Sequence, residues 1–509
     1  MSYRLDAFSG IGLDEASLRR ALDEHRVRVR PTLERLWAYF RNPLEPVGLG
    51  ETSSRGWYRL AQEAGLPTRV TGRRDSALDD RAAGRREVVI ENDIAWRVQT
   101  MVDFLFGKPI RVLSTAADEQ TRTRVEGALE AVWEASGGIA MLQDVATLGH
   151  VYGHVDLHVR VDEDALLSAS SRDPEAAARR GVRIEPIDAT RGIGVVSRTD
   201  YRELDAFVVH VEGEERTEKA EPLTPALSPR GRGRKAARLF GRGGKRGHDE
   251  RERRRVDVVE VIGRGVRQVY EDEVLIEESR SVLLPETLPI VHVQNMSQPL
   301  RYSGLGEVES LIPLQDELNT RLSDRASRVT MQSFRMFLAK GIDGFDRVPV
   351  GPGALWQTDN MEASIESFGG DAASPSEESH IREIREAMDK VSGVPPLASG
   401  VLRARIGNLS SENALRVTLL GLLAKTERKR VTYGRGIAGV SRVVLEALDA
   451  AGIVRTRESE RGVRVAWASP LPSDEREEVA AARAKVELGV SEERVLSELG
   501  YEATDPAIR

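Results

Sequence analysis

Residues 311–339 read LIPLQDELNTRLSDRASRVTMQSFRMFLA. Leu311, Leu314, Leu318, Leu322, Ala326 and Val329 recur every three or four residues, the spacing that lines one face of a helix with apolar side chains. The run continues to about Leu338, and Pro313 suits a first turn, where its missing N–H costs nothing. From Pro313 to Ala339 such a helix would be about 40 Å long. Its opposite face holds Arg321, Arg325, Arg328 and Arg335.

On the C-terminal side, Gly341–Phe368 is turn-rich, with short strand candidates at Ala354–Gln357 and Ala363–Phe368. A polar helix is expected over Ser376–Ser392. Gly393–Ser410 (GVPPLASGVLRARIGNLS) is punctuated by Pro and Gly and has no clear period. Ser411–Ala451 reads as a second long helix, bent at Gly434–Arg435–Gly436. One more strand, Val463–Ala468, and two short helices after Pro472 complete the chain. Long helices around a small β element predict an elongated subunit that lies against neighbours.

The N-terminal half predicts a mixture of helix and strand. Leu13, Leu18 and Leu22 space an early helical face, with Asp14 and Glu15 in its first turn. The chain is loop-like around Trp57 and Tyr58. Asn92 can cap a helix to Phe106 whose Ile94, Val98, Met101, Val102 and Leu105 share one side, and Gly107–Lys108–Pro109 ends it. Helices near Glu119–Ala135 and Ile139–Leu148 come next. Strands are expected at His154–Val161, Arg183–Ile187, Gly194–Arg198, Glu203–Glu214 and Arg255–Val261. The fold class is therefore α+β.

Between the last two strands lies Pro222–Arg255, with twelve Lys or Arg against three Asp or Glu, a net charge of +9. The whole chain carries −7, so the rest carries −16. This Pro- and Gly-rich segment has too little apolar surface to fold alone, and we expect a disordered basic insert at a hairpin tip. One reading is an arm that binds DNA phosphates or acidic partners through Arg230, Arg232, Arg234, Lys235, Arg238, Arg242, Lys245 and Arg246. The other is a neutral insertion at an exposed loop. PLTPALSPRGRG (Pro222–Gly233) resembles the translation of a repeat element scattered through some bacterial genomes, which favours the second.

Composition narrows the function. The 509 residues are 40% hydrophobic and 30% charged, in keeping with a globular protein. Aromatics are 5%, few for a platform that stacks single-stranded bases. There is no cysteine, which excludes disulfides, thiolate metal sites and cysteine nucleophiles. No run approaches 18 apolar residues and the N-terminus lacks a signal-peptide core, so a cytoplasmic origin without membrane contact is expected.

Catalytic motifs fail on inspection. GRGGK at Gly241–Lys245 imitates a phosphate-binding loop, but Leu239 and Arg246 stand where Gly and Ser or Thr are required. His150, His154 and His158 recur every four residues, a metal-site spacing on a helix. Gly149 and Gly153 argue against a helix there, and HVDLHVR alternates like a strand. His154, Asp156, His158 and Arg160 would then share a solvated or interface-facing side, with Val155, Leu157 and Val159 buried. Lys425–Arg430 (KTERKR) reads as a solvated helix face. No nucleophile, base and orienting group form a set, so no enzyme and no cofactor are expected. A metal-dependent enzyme using the three histidines stays as a minor alternative.

Several segments in order resemble the portal proteins of tailed bacteriophages, of the siphophage type. They are ENDIAWRVQTMVDFLFGKPIRVLS (Glu91–Ser114), PIVHVQNMSQPLRYSGLGEVESLIPLQDELNTRLSDRASRVTMQSFRMFLAKG (Pro289–Gly341), Gly393–Ser410 with SSENALRVTLLGLLAKTERKR after it, and PLPSDEREEVAAARAKVELGVSEERVLSELG near the end. The insert at 222–255 departs from that family, and the first ninety residues match loosely. The resemblance implies a portal-type subunit: an N-terminal wing region over 1–310, a stem helix at 311–339, a clip at 340–375 and a second stem helix at 376–392. A tunnel loop at 393–411, a wing helix and strand at 412–470 and a crown at 471–509 follow.

It also implies a homo-oligomeric ring of about twelve subunits at a capsid vertex, a head-tail connector assembled in the bacterial host cytoplasm and carried in the virion. Double-stranded DNA would pass through it without sequence recognition. Its partners would be the large terminase subunit, the head-completion protein, and the major capsid and scaffolding proteins. Arg403 and Arg405, the charges of the expected tunnel loop, would either touch the DNA backbone or pair with a neighbouring subunit. The arginines of 311–339 would face DNA or pair between subunits, pairing being favoured because a ring of cations would hold DNA too tightly to slide. A nucleic-acid-binding protein acting through residues 230–255 is the alternative from another class.

Overall fold

Glu87–Asn92 lies extended along a helix, and their contact explains why a polar row runs down that helix beside its apolar stripe. In a computed structural model that helix is Ile312–Ser333. The structure describes residues 3–46, 58–71, 87–200, 202–216, 254–333, 336–340, 360–368, 375–399, 416–471 and 475–490, with 492 and 495. Gln315, Asn319, Ser323 and Ser327, spaced by four, accept the backbone N–H groups of Ile94, Glu91, Val89 and Glu87 at 3.2, 3.0, 2.9 and 3.0 Å. Asn319 also donates to Gln62 at 3.0 Å, and Gln315 to the carbonyl of Glu91. The ladder supplies partners to an extended backbone that no sheet reaches.

The same stretch delivers the chain to Asn92, whose side chain accepts the N–H of Ala95 and starts the helix Asp93–Phe106. Helices Arg30–Arg41, Glu119–Ala135, Gly138–Tyr152 and Leu420–Ala450 join it around one core that includes Val98, Phe106, Val132, Val145, Tyr433 and Val444. Strand His154–Val161 runs through this core between Ile290–Gln294 and Val182–Ile187, all antiparallel. A separate five-stranded antiparallel sheet is ordered Val274–Arg280, Val266–Glu271, Arg254–Ile262, Leu204–Arg216 and Gly192–Val196. Phe8, Leu13 and Leu18 cover one face of it, on Ala206, Val208 and Val261. Its other face, with Leu204 and Phe207, packs on Leu288 and Ile290. Glu15–Glu24 is the early helix, capped by Asp14 rather than beginning with it.

Leu204–Arg216 and Arg254–Ile262 pair out to Arg216 opposite Arg254, which frames the insert as expected. The basic residues Arg230, Arg232, Arg234, Lys235, Arg238, Arg242, Lys245 and Arg246 lie outside the described residues. Strand Val463–Ala466 pairs with Arg111–Ser114, directly after the Gly107–Lys108–Pro109 turn. The strand candidate at Ala354–Gln357, the arginine at 335 and most of the second helix after Pro472 also fall outside the described residues.

Four expectations change. The helix begun at Ile312 ends at Ser333, about 33 Å long, and Met336–Lys340 is a strand paired with Ser364–Phe368. A short apolar run such as MFLA fits both periods, and only a pairing partner decides between them. Gly138–Tyr152 stays helical through Gly149 and His150, and Gly149 marks a close packing contact instead of a stop, since a side chain there would collide with the Tyr433 hydroxyl. The turn comes at Gly153, with φ of 88° and the Gly304 carbonyl packed against it. Leu420–Ala450 runs unbroken through Gly434–Gly436. Finally, the polar side of His154–Val161 is not solvated: His154, Asp156 and His158 are all buried.

Asn319→Ala would strand the Glu91 N–H and the side-chain oxygen of Gln62 in the interior. We expect a loss of about 1–3 kcal/mol in denaturant unfolding, with the slope unchanged. Ser327→Ala, at the exposed end of the same row, should cost far less.

Candidate functional site: a buried charged anchor on both sides of residues 400–415

The helix Leu420–Ala450 turns Leu422, Lys425, Lys429, Tyr433 and Ile437 inward along one stripe. Two lysines therefore enter the core one turn apart. Glu307 meets them from the segment that follows the Gly304–Leu305–Gly306 turn. Lys425 Nζ lies 2.5 Å from Glu307 Oε2, and Lys429 Nζ lies 2.8 Å from Glu307 Oε1. Lys425 also donates to the carbonyl of Ser392 at 2.8 Å, and Lys429 to the sulfur of Met101 at 3.4 Å. The Glu307 N–H donates to the carbonyl of His150 at 2.7 Å, which ties the turn to the end of the helix Gly138–Tyr152.

Electrostatics follow from two ammoniums around one carboxylate out of water. Burial opposes ionisation of Glu307, but Lys429 and then Lys425 outweigh it and hold its pKa down at about 2. Burial pulls Lys429 down to about 8, against the pull of Glu307. His150 is pushed down to about 3, by burial first and the charge of Lys429 second, so it is neutral. Its Nδ1 donates to the carbonyl of Ala146 at 2.6 Å.

A third cation closes the site. Arg97, with no solvent exposure, donates to Ser392 Oγ and to the carbonyl of Val394, both at 3.0 Å, and to Asp389 at 2.7 Å. Asp93 stands 3.6 Å away, and the guanidinium lies 4.6 Å from the Trp96 ring centre. Ser392 is thus held twice, by Arg97 through its hydroxyl and by Lys425 through its carbonyl. It is also the last residue of the helix Pro375–Ser392, where the dipole favours positive charge. Gly393 then turns the chain with φ of 71°. Val394 and Leu422, on either side of 400–415, bury together against Met101. Both limbs of the chain around that segment are seated in the same charged and apolar anchor.

Neither Arg403 nor Arg405 lies among the described residues. Of the arginines on 312–333, Arg321 pairs with Glu317 at 2.7 Å and Arg328 pairs with Glu377 on the neighbouring helix, both within the chain. The three spaced histidines separate. His150 sits on a helix, His154 packs against Tyr302 and His292, and His158 faces a cleft of about 310 Å³ between the two sheets. Among the described residues no group of three metal-ligating side chains comes together.

KTERKR is corrected most. Lys425, Thr426 and Lys429 are buried, and Arg430 lies over Trp467. The signal was there: Lys425 and Lys429 continue the stripe of Leu422, Tyr433 and Ile437, as Arg97 continues that of Ile94 and Met101. A second buried network joins the strands. His292 Nδ1 meets Asp156 at 2.8 Å, its Nε2 donates to the Tyr302 carbonyl at 2.8 Å, and the Tyr302 hydroxyl donates to Asp156 at 2.7 Å. Burial works against charge on His292, but Asp156 prevails and raises its pKa.

A family model for phage portal proteins, SPP1 Gp6-like, matches residues 249–504, half of the chain. A comparison with curated proteins finds no match. Among solved structures, the neck of an empty GTA particle with C6 symmetry is similar at 11% identity, over 80% of this chain and 90% of that one, with a TM-score of 0.44. Among the described residues no helix is long and apolar enough to cross a membrane.

Glu307→Gln would leave two buried ammoniums around a neutral amide, and we expect a loss of about 3–5 kcal/mol at neutral pH. The folded pKa of Glu307, about 2, lies below its ordinary 4.5, so its contribution is full above 4.5 and fades as pH falls toward 2. The stability gap between wild type and variant should therefore narrow across that window in urea titrations.

Proposed function

The chain belongs to the SPP1 Gp6-like family of phage portal proteins, and we propose that it forms a ring at one vertex of a phage head through which double-stranded DNA enters and leaves. The observation that supports this most directly is the family match across residues 249–504. The family's role is structural rather than enzymatic. In this reading residues 1–310 and 412–470 make the wing, 311–339 and 376–392 the stem, and 340–375 the clip. The clip meets the terminase and later the head-completion protein, while 471–509 forms the crown. The ring resides in the virion and contacts capsid and scaffolding proteins during assembly.

The anchor gains a purpose here. Residues 393–411 form the constriction, and DNA moving past it exerts a load on the segment. Hydrogen bonds from Arg97 and Lys425 to Ser392 and Val394, with Lys425 itself on the returning helix, transmit that load into the helical core. Arg403 and Arg405 meet phosphates briefly, and their small number keeps counterion release, and hence friction, low.

Light scattering after size exclusion, with negative-stain imaging of the peak, tests the class. Annular particles of about twelve subunits with a central channel are expected, and a strictly monomeric protein under every assembly condition would overturn the reading. Deleting residues 222–253 separates it from the alternative of a DNA-binding arm. Ring assembly should survive the deletion; loss of the protein's only DNA interaction, with no ring formed by either version, would favour the arm.

A further inference from the structure

The inward side of Leu420–Ala450 builds the anchor, but its outward side is unlike that of an ordinary solvated helix. Leu420 is 65% and Val431 54% exposed, and Val417, in the turn just before, is 75% exposed. Gly421, Ala424, Arg428, Val431 and Arg435 follow one another at three or four residues, all at the surface, so the strip runs about 22 Å from Leu420. Gly421 and Ala424 admit a close approach. Glu427, beside the strip, is already taken by Arg430 at 2.8 Å. Arg428 and Arg435 make no ion pair among the described residues.

We propose that this strip is a subunit interface that takes a second copy of the chain. The proposal rests on the ring reading above. Charge complementarity favours the occupant: the one acid at the strip, Glu427, is paired with Arg430, which leaves Arg428 and Arg435 as its net charge among apolar groups, on a chain whose net charge is −7. Pairing with itself about a two-fold axis would set Arg428 and Arg435 against like charges. The strip therefore meets a different, acidic surface of the next copy, the head-to-tail arrangement that closes into rings. Duplex DNA is the poorer fit, since Leu420 and Val431 would face phosphates. The interface would lie on the back of the turn that holds Lys425 and Lys429, so each subunit's anchor would be braced by its neighbour.

The absence of cysteine permits a direct test. Val431→Cys and, as a reference at another exposed site, Val282→Cys are each labelled with a maleimide in assembled and dissociated fractions. Val431→Cys should react several-fold more slowly in the assembled fraction only, with Val282→Cys unchanged. Equal labelling of Val431→Cys in true rings would overturn this proposal and leave the ring reading standing. Protection that appears only with added duplex DNA would overturn it in favour of a DNA-facing strip. Absence of any assembled fraction would remove the ring reading and this inference together. As a second readout, the Leu420→Glu, Val431→Glu double variant should keep wild-type thermal unfolding as a subunit and lose assembly; normal assembly would again overturn the proposal.

Discussion

Three cations, Arg97, Lys425 and Lys429, are held out of water beside three acids, Glu307, Asp389 and Asp93. Removing a charge from water costs several kcal/mol even after relaxation, and opposite charges and hydrogen-bond acceptors close by offset that cost. Glu307 serves two lysines, Asp389 and Asp93 flank Arg97, and further bonds run to the carbonyl and hydroxyl of Ser392, the carbonyl of Val394 and the sulfur of Met101. Such a set tolerates little displacement. It therefore dictates where the helix Pro375–Ser392 stops, where the helix Leu420–Ala450 sits, and how the Gly304–Gly306 turn wraps around His150.

The rest of the fold organises around this demand. The turn carrying Glu307 is held by Asn295, which receives the Tyr433 hydroxyl at 3.2 Å and donates to the Leu305 carbonyl at 2.9 Å. Asn295 directly follows Ile290–Gln294, the strand that His292 locks to Asp156 and Tyr302. The polar ladder of Gln315, Asn319, Ser323 and Ser327 then lays residues 87–94 along the next helix, and those residues lead into the helix that bears Arg97. Charge, turn, strand and ladder form one connected polar frame inside an apolar core. A member of a portal family that is proposed to bear a moving load has use for such a frame, because hydrogen-bonded networks give a single geometry where apolar packing alone permits several.

Much of this architecture was readable from local pattern. Asn92 capping a helix to Phe106, the helix Glu119–Ala135, the strand His154–Val161 and the hairpin around the basic insert all stand where their caps and periods put them. Local reading failed where a residue's role depended on a distant partner. Met336–Lys340 is a strand because Ser364–Phe368 lies beside it, and residue 149 is a glycine inside a helix because Tyr433, far along the chain, fills the space of its missing side chain. KTERKR by itself reads as a solvated face because lysines are rarely buried, and the partner that buries it, Glu307, is 118 positions from Lys425.

Sequence alone determined the α+β class, the order of the principal elements and the insertion point of the basic segment, because each is written in spacing and composition over tens of residues, and its segments in order carry the resemblance to phage portals. Tertiary structure alone decided which charges are buried, that Ser392 is gripped from two sides, and that one face of Leu420–Ala450 is left uncovered by the described residues. A side chain's period says only which face of an element it occupies. Whether that face meets water, an acid or another subunit depends on what the folded chain brings to it.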